Sequence, residues 1–313
     1  MELASSNPPP QPGVGSAEDL AQRLASTGYI ADPETALLLW LAERLGRPLL
    51  VEGPAGVGKT ELARAAASAL GRKYIRLSCY EGLDEGKALY EWDYAKQMLV
   101  ATLVRDALAK TVGAAATVAD AVRTVAASEA SFFDRRFLVA RPLLAALESP
   151  TPVVLLIDEV DRADPEFEAF LLELLADMQI TIPELGEIHA THPPLVVLTT
   201  NGTREMTDAL RRRCLHAFVD YPSPERELVI LERRVPGIEH ALAARLVEVV
   251  DRLRKMELRK APSIGETLDW ARALLLLGKS SLDADTARET LGLLLKHQDD
   301  RSRVLAELPR TLA

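Results

Sequence analysis

Five short apolar runs lie along the first two thirds of the chain, and each is bounded by polar or turn-forming residues. They are RPLLVEG, KYIRLSC, PVVLLIDE, PLVVLTTN and CLHAFVDYP. The runs are continuous rather than alternating, which is typical of strands buried on both faces of a parallel sheet. Helical sequence separates each run from the next. The pattern therefore predicts an α/β fold, with a five-stranded parallel sheet between layers of helices.

Helix signals precede the first strand. The segment DPETALLLWLAERLG has Asp32 as its N-cap, Pro33 at the first helical position and Gly46 as its stop. The segment SAEDLAQRLASTG before it has a serine cap and helical apolar spacing. We therefore expect two helices before the sheet begins.

The character of the chain changes after the last apolar run. Four amphipathic segments follow one another with no strand between them. We predict an α/β domain over residues 17–221 and a small all-helical domain over residues 222–313. Residues 1–16 are rich in Pro, Gly and Ser, which predicts a flexible tail.

Composition and charge argue against several classes of protein. The 313 residues carry a net charge of −9, which disfavours nonspecific binding to nucleic acids and anionic membranes. Two cysteines, Cys79 and Cys214, are too few for a disulfide framework or a cysteine zinc site. The chain starts without a signal-peptide pattern, and no apolar run reaches the ~20 residues that span a bilayer. We expect a soluble, cytoplasmic protein.

A glycine-rich loop follows the first strand. The sequence GPAGVGKT fits the pattern G-x-x-x-x-G-K-[ST] and stands between a predicted strand and a predicted helix. In such a loop, backbone N–H groups surround phosphate oxygens, and the positive end of the helix attracts them too. This predicts a binding site for ATP and Mg²⁺, in which Lys59 reaches the β- and γ-phosphates and Thr60 ligates Mg²⁺. The predicted nucleotide-binding residues are Gly53, Pro54, Ala55, Gly56, Val57, Gly58, Lys59, Thr60, Glu61 and Asp158.

Two acids stand at the end of the third apolar run. Ligand sites of open α/β sheets lie at the carboxyl ends of the strands, where PVVLLIDE delivers Asp158 and Glu159. We assign Asp158 to the Mg²⁺ shell and Glu159 to the polarisation of an attacking water. Asn201 ends the fourth run and could orient the same water, although Asn–Gly after a strand is also ordinary turn chemistry.

These pieces, in this order, resemble the AAA+ ATPases: Walker A at 53–60, Walker B at 153–159, an asparagine sensor, an arginine cluster and a helical lid. The strings YEGLDEGKALYEWDYAKQ and SIGETLDWA are more particular. They resemble the MoxR family, especially its branch encoded beside carbon monoxide dehydrogenase genes. The resemblance implies a P-loop αβα sandwich, a pre-sensor hairpin at about residues 179–192 and a helical insert at about residues 84–140.

The resemblance also gives the three arginines at 211–213 an expected role. In AAA+ rings, an arginine after the sensor enters the nucleotide site of the neighbouring subunit. By position Arg213 is the expected finger, and Arg212 is the second choice; the alternative is a solvated cationic helix end. A second sensing arginine usually stands in the lid, but here Gly265 takes that place, and Arg272 lies two turns further on.

The function implied by the resemblance is ATP-driven remodelling of a protein client. It implies a ring, hexameric by analogy, and an adaptor with a von Willebrand A domain. It also implies a role in metal-cofactor insertion or enzyme maturation. Two other classes stay open: a nucleic-acid motor or loader, which the acidic charge disfavours, and a small-molecule P-loop kinase, which would not need the arginine cluster.

Overall fold

The computed structural model describes residues 14–100, 102, 117 and 133–311. Most of the predicted tail, residues 1–13, lies outside these residues, as does much of the predicted insert. In the described part of the chain, the strands are β1 (Leu49–Glu52), β2 (Lys73–Ser78), β3 (Tyr90–Trp92), β4 (Leu138–Ala140), β5 (Val153–Asp158), β6 (Gln179–Ile182), β7 (Gly186–His189), β8 (Leu195–Thr200) and β9 (Leu215–Phe218).

Helices surround and follow these strands. They are α1 (Ala17–Ser26), α2 (Pro33–Leu45), α3 (Lys59–Ala69), α4 (Glu85–Leu89), α5 (Pro142–Leu147), α6 (Pro165–Asp177), α7 (Asp208–Arg213), α8 (Pro224–Arg234), α9 (His240–Arg254), α10 (Ile264–Leu276), α11 (Ala284–Thr290) and α12 (Gln298–Thr311). Residues 94–100 are also helical.

The five strands predicted from the apolar runs form one sheet in the order β2-β5-β8-β1-β9, and every neighbouring pair is parallel. Every residue of β5 and β8 is buried, because helices cover both faces of the sheet. The predicted fold class is confirmed. Since the strands are parallel, their carboxyl ends meet at one edge, which brings β1, β5 and β8 to a common site.

The predicted boundaries of α2 are confirmed. The Asp32 Oδ1 atom accepts a hydrogen bond from the Thr35 backbone N–H at 2.7 Å, and Pro33 begins the helix. Gly46 ends it in the left-handed conformation, with φ 62°. The cap signals in the sequence therefore place the chain correctly for entry into β1.

Separate apolar clusters stabilise the sheet and the C-terminal helices. One cluster fills each face of the sheet. A third lies within the helices from α8 onward, where Trp270 is fully buried and its Nε1–H donates to Thr290 Oγ1 at 2.8 Å. The C-terminal helices therefore have a hydrophobic core of their own.

Two antiparallel strand pairs lie outside the main sheet. Strands β6 and β7 form a hairpin in which Gln179 lies opposite His189 and Ile182 opposite Gly186. Strands β3 and β4 pair with each other, and the buried Trp92 ring packs edge-to-face on Phe133, with ring centroids 5.3 Å apart. None of the helices in the described ranges has both the length and the apolar character required to cross a bilayer.

Candidate active site

A cleft of about 390 Å³ opens at the carboxyl edge of the main sheet. Its floor is the loop after β1, the start of α3 and the ends of β5 and β8, and its opposite wall is formed by α8 and α10. The turn at residues 28–30 lines one side. The cleft therefore joins the glycine-rich loop, the two acids and the C-terminal helices in one space.

The glycine-rich loop has a backbone path that excludes side chains at two positions. A Cβ atom on Gly53 would lie 1.9 Å from the Val219 carbonyl oxygen. A Cβ atom on Gly56, where φ is +81°, would lie 2.3 Å from Ser263 Cβ. The Ile264 N–H also approaches the Gly56 carbonyl oxygen at 3.3 Å. The loop thus forms an open cradle of backbone groups whose far side is in contact with the start of α10.

Lys59 is held inside this cradle. Its ammonium group donates to the carbonyl oxygens of Gly53 and Pro54, at 2.6 and 2.7 Å, and to Asn201 Oδ1 at 2.8 Å. Burial lowers the pKa of Lys59, and the nearby carboxylates, Asp161 foremost, oppose that change. These contacts place a cation beside Asn201 at the end of β8.

Asp158 is buried at the end of β5 with both carboxylate oxygens bonded. Its Oδ1 accepts from Thr60 Oγ1 at 2.9 Å and from Thr199 Oγ1 at 2.6 Å. Its Oδ2 accepts from Arg76 Nη2 at 2.6 Å and Nε at 3.0 Å. A hydroxyl and a carboxylate side by side beneath a phosphate loop are the hard oxygen donors that Mg²⁺ takes together with phosphates. Thr60 and Asp158 therefore fit the predicted metal site.

Glu159, the next residue, has hydrogen-bond partners different from those of the Asp158 carboxylate. Its backbone is left-handed, with φ 56°, a conformation that is uncommon and costly for a residue with a side chain. The Glu159 N–H donates to Thr199 Oγ1 at 2.9 Å, so that one threonine bridges the two acids. The Glu159 carboxylate accepts from Asn201 Nδ2 at 3.2 Å and from Arg162 Nη1 at 2.9 Å. Its carboxylate therefore contacts the end of β8 at Asn201, whereas the Asp158 carboxylate contacts Thr60.

The loop after β8 is held by a second buried acid. Asp161 Oδ2 accepts from the N–H groups of Asn201 and Thr203, at 3.3 and 2.9 Å, and from Thr203 Oγ1 at 2.6 Å. Burial alone would raise the pKa of Asp161, but hydrogen bonds from Thr203 and Asn201 outweigh it and lower the pKa. Asp161 thereby fixes the backbone from which the Asn201 amide reaches Lys59 and Glu159.

The three consecutive arginines have different surroundings. Arg211 lies 3.7 Å from the Glu52 carboxylate of the same chain. Arg212 and Arg213 are exposed, do not line the cleft, and have no side-chain acceptor among the described residues. Their carbonyl oxygens accept hydrogen bonds from the Arg47 guanidinium, which fixes the end of α7. The structure thus gives Arg211 an intrachain partner and leaves Arg212 and Arg213 on the surface.

The C-terminal helices supply cations that the sequence interpretation missed. Arg226 and Arg234 line the cleft from α8, and Gly265 lines it from α10. Arg272, by contrast, is outside the cleft and pairs with Asp269 at 3.0 Å. Arg272 therefore does not take the place of the second sensing arginine.

The cleft unites most of the predicted residues. Those that line it are Ala55, Gly56, Val57, Gly58, Lys59, Thr60, Glu61, Asp158, Glu159 and Asn201. Gly53 and Pro54 act through their carbonyl oxygens on Lys59.

Four polar residues of the site were missed as well: Arg76, Asp161, Arg162 and Thr199. A signal existed for two of them, because Arg76 interrupts an apolar strand and Thr199 is a polar residue at the end of another.

Comparisons with known proteins agree with this geometry. Residues 32–186 match the AAA ATPase domain family. The gas vesicle ATPase GvpN of Ancylobacter aquaticus is 25% identical over 244 residues, which cover 74% of this chain and 62% of that protein. The matched segment is similar to an ATPase domain, and the chain spans 62% of the length of that relative.

Solved structures with a similar fold include two of RuvB from Thermotoga maritima. The structure of the Holliday junction branch migration motor aligns with a TM-score of 0.46 and 17% identity, over 94% of this chain and 79% of that one. A point mutant of the same RuvB aligns with a TM-score of 0.49 and 18% identity over the same shares. Likenesses this distant carry no argument about function.

Proposed function

We propose that this chain is a MoxR-type AAA+ ATPase that hydrolyses ATP at the interface between neighbouring copies and uses the energy to remodel a protein partner. The observation that carries the proposal is that the expected catalytic residues lie in two separate places. Lys59, Asp158, Glu159 and Asn201 meet in one cleft, whereas Arg212 and Arg213 stand exposed elsewhere on the surface. Such an arrangement suits a site completed by the next subunit of a ring.

In the proposed reaction each residue has one task. Glu159 accepts a proton from the attacking water, and Asn201, bonded to its carboxylate, orders that water. Lys59 contacts the β- and γ-phosphates, and the neighbour's Arg213 or Arg212 stabilises the charge that develops on the phosphoryl oxygens. When bound through Thr60 and Asp158, Mg²⁺ supplies neutralisation of phosphate charge.

The lid and the remodelling role complete the proposal. We assign residues 17–221 to the nucleotide-binding domain and residues 222–313 to a lid that covers the cleft with α8 and α10. The hairpin of β6 and β7 is proposed to face the client. Support for a protein client, a von Willebrand A domain adaptor, a hexameric ring and a role in cofactor insertion comes from the resemblance to MoxR proteins.

The decisive experiment measures phosphate release from ATP by the purified protein and by its Lys59→Ala variant, together with the oligomeric state. We expect turnover that Lys59→Ala abolishes, because the phosphates lose their cation. We also expect specific activity to rise with protein concentration as rings assemble. Normal turnover by Lys59→Ala, or equal specific activity in dilute monomer, would reject the site as assigned.

A second set of measurements tests which class of partner stimulates ATP turnover. Stimulation of turnover by DNA that weakens steeply with salt would support a nucleic-acid motor instead. Transfer of phosphate to a metabolite by a stable monomer would support a kinase. Stimulation by a folded protein client, with neither of those effects, is the result that we expect.

A further inference from the structure

Two arginines face the cleft from the first helix of the lid. Arg226, Ile230 and Arg234 are four residues apart on α8, so they share one face of the helix, and all three line the cleft. At the usual sensor position, Gly265 offers no cation, and Arg272 lies outside the cleft. Among the described residues that line the cleft, the positive charges of the proposed lid therefore come from α8.

Arg226 and Arg234 differ in how closely a carboxylate of the same chain pairs with each guanidinium. Arg234 Nη1 donates to Glu61 Oε1 at 3.3 Å, so a carboxylate within the cleft already neutralises it. The nearest anion to Arg226 is Asp32, whose Oδ2 lies 3.6 Å from Arg226 Nη1, beyond hydrogen-bonding distance. The Asp32 carboxylate caps α2, because it accepts hydrogen bonds from Thr35 N and Thr35 Oγ1, each of 2.7 Å.

Arg226 also carries a buried donor without an acceptor. Its Nε atom is shielded from solvent and has no hydrogen-bond partner among the described residues. The side chain is only 26% exposed. A buried, unsatisfied N–H of a charged group is costly, and such a group in a native protein requires an explanation, such as a bound water, an ion or a role in the site. The Arg226 side chain lines the cleft, and a guanidinium suits phosphate oxygens, which can accept two parallel hydrogen bonds from it.

We propose that Arg226 is a nucleotide-binding residue that contacts the phosphate chain of ATP from the lid, in place of an arginine at position 265. The inference rests on the proposed function, because it assumes that the cleft binds ATP. Arg226 lies in the first turn of α8, directly after the chain leaves the sheet domain. A contact between Arg226 and the phosphates therefore ties the start of the lid to the nucleotide.

The test is isothermal titration of ATP, ADP and adenosine into the wild type and Arg226→Gln. We expect Arg226→Gln to weaken ATP binding about 10- to 100-fold, as for the loss of one charge-assisted hydrogen bond. Adenosine affinity should be unchanged, because adenosine has no phosphate. Arg226→Lys should bind ATP more tightly than Arg226→Gln but less tightly than the wild type. Lysine keeps the positive charge but lacks the paired donors of the guanidinium.

The matched control is Arg272→Gln, which removes an exposed arginine of the lid that is paired with Asp269. It should bind all three ligands as the wild type does. Unchanged ATP affinity in Arg226→Gln would overturn the proposal, and so would an equal loss for adenosine, which would mean a contact with the nucleoside or damage to the fold. Thermal unfolding without nucleotide identifies such damage.

The experiment separates the two claims. If the wild type binds no ATP, the proposed function fails first. If the wild type binds ATP and Lys59→Ala does not, but Arg226→Gln binds as tightly as the wild type, only the role of Arg226 is refuted.

Discussion

The acid that holds the loop after β8 offers a quantitative test of the site. Asp161 is 4% exposed and accepts three hydrogen bonds at a single oxygen, from Asn201 N, Thr203 N and Thr203 Oγ1. We consider Asp161→Ala, which removes the acceptor and leaves the three donors. The Asn201 amide then loses its support next to Lys59 and Glu159.

The expected magnitude follows from these contacts. A hydrogen bond to a charged group contributes about 1.5–3 kcal/mol, so the two short bonds from Thr203 would together give about 3–6 kcal/mol. Thr203 is exposed, however, so water replaces part of the loss. We therefore expect Asp161→Ala to lower the free energy of unfolding by about 2–4 kcal/mol at pH 7. Turnover should fall further than nucleotide affinity, because Asn201 is proposed to order the attacking water.

The effect should depend on pH with a definite sign. The pKa of Asp161 in the folded protein is below its ordinary value of 3.8, so the folded state binds the proton less readily than the unfolded state. Its contribution to stability is therefore fully present above the unfolded pKa and is lost as the pH falls through the folded pKa. The difference between wild type and Asp161→Ala should shrink in acid.

Denaturant unfolding at pH 7 and in acid measures both quantities. Asp164→Ala is the control, since Asp164 is exposed and, within the described ranges, its carboxylate accepts a single hydrogen bond, of 3.3 Å, from Gly82 N. A double-mutant cycle with Thr203→Val isolates the hydrogen bond from Thr203 Oγ1 to Asp161. A loss below about 0.5 kcal/mol for Asp161→Ala, or one equal to that of Asp164→Ala, would refute the reasoning, because that is the range of ordinary surface substitutions.

Three further predictions concern the general base in the cleft, the arginine from the neighbouring subunit and the contact between Gly56 and the start of α10. Glu159→Gln should retain ATP binding but lose about 10²–10⁴-fold in turnover, because the general base is gone; phosphate release and ATP titration together check this. An equal mixture of inactive Arg213→Ala and inactive Glu159→Gln subunits should regain about one quarter of wild-type turnover, since random mixing in a ring pairs an intact cleft with an intact finger that often. No recovery would count against a shared site. Gly56→Ala should weaken ATP binding and lower the melting temperature more than Gly46→Ala does. Both glycines have positive φ, but only at Gly56 would the new Cβ meet the lid; equal effects would contradict that contact.

Much of the fold could be predicted because its signals are local. β5 and β8 are buried throughout, and each begins with four or more apolar residues before its polar end, since helices cover both faces of the sheet. Such runs can be recognised without knowledge of the partner strands. Asp32 and Gly46 marked the ends of α2 through cap chemistry that involves neighbouring residues only.

The site was predicted where a motif fixes the spacing and missed where contacts join distant segments. Lys59 and Thr60 follow from one loop, and Asp158 from one strand end. Arg76 is 82 residues from Asp158 in sequence, yet donates two hydrogen bonds to it. Arg226 reaches the cleft because α8 folds back over it, and an arginine on an amphipathic helix otherwise predicts only a solvated face.

The sequence alone determined the strand–loop–helix order, the phosphate cradle and the two acids after the third strand, because these depend on backbone freedom and periodicity within short segments. Only the tertiary structure decided how the polar groups are shared. It gave Glu159 a left-handed backbone and partners different from those of Asp158, and it gave Arg211 a partner while leaving Arg213 exposed. The reason is physical: a buried charge requires a partner at hydrogen-bonding distance, and that distance is set by the packing of elements far apart in the chain.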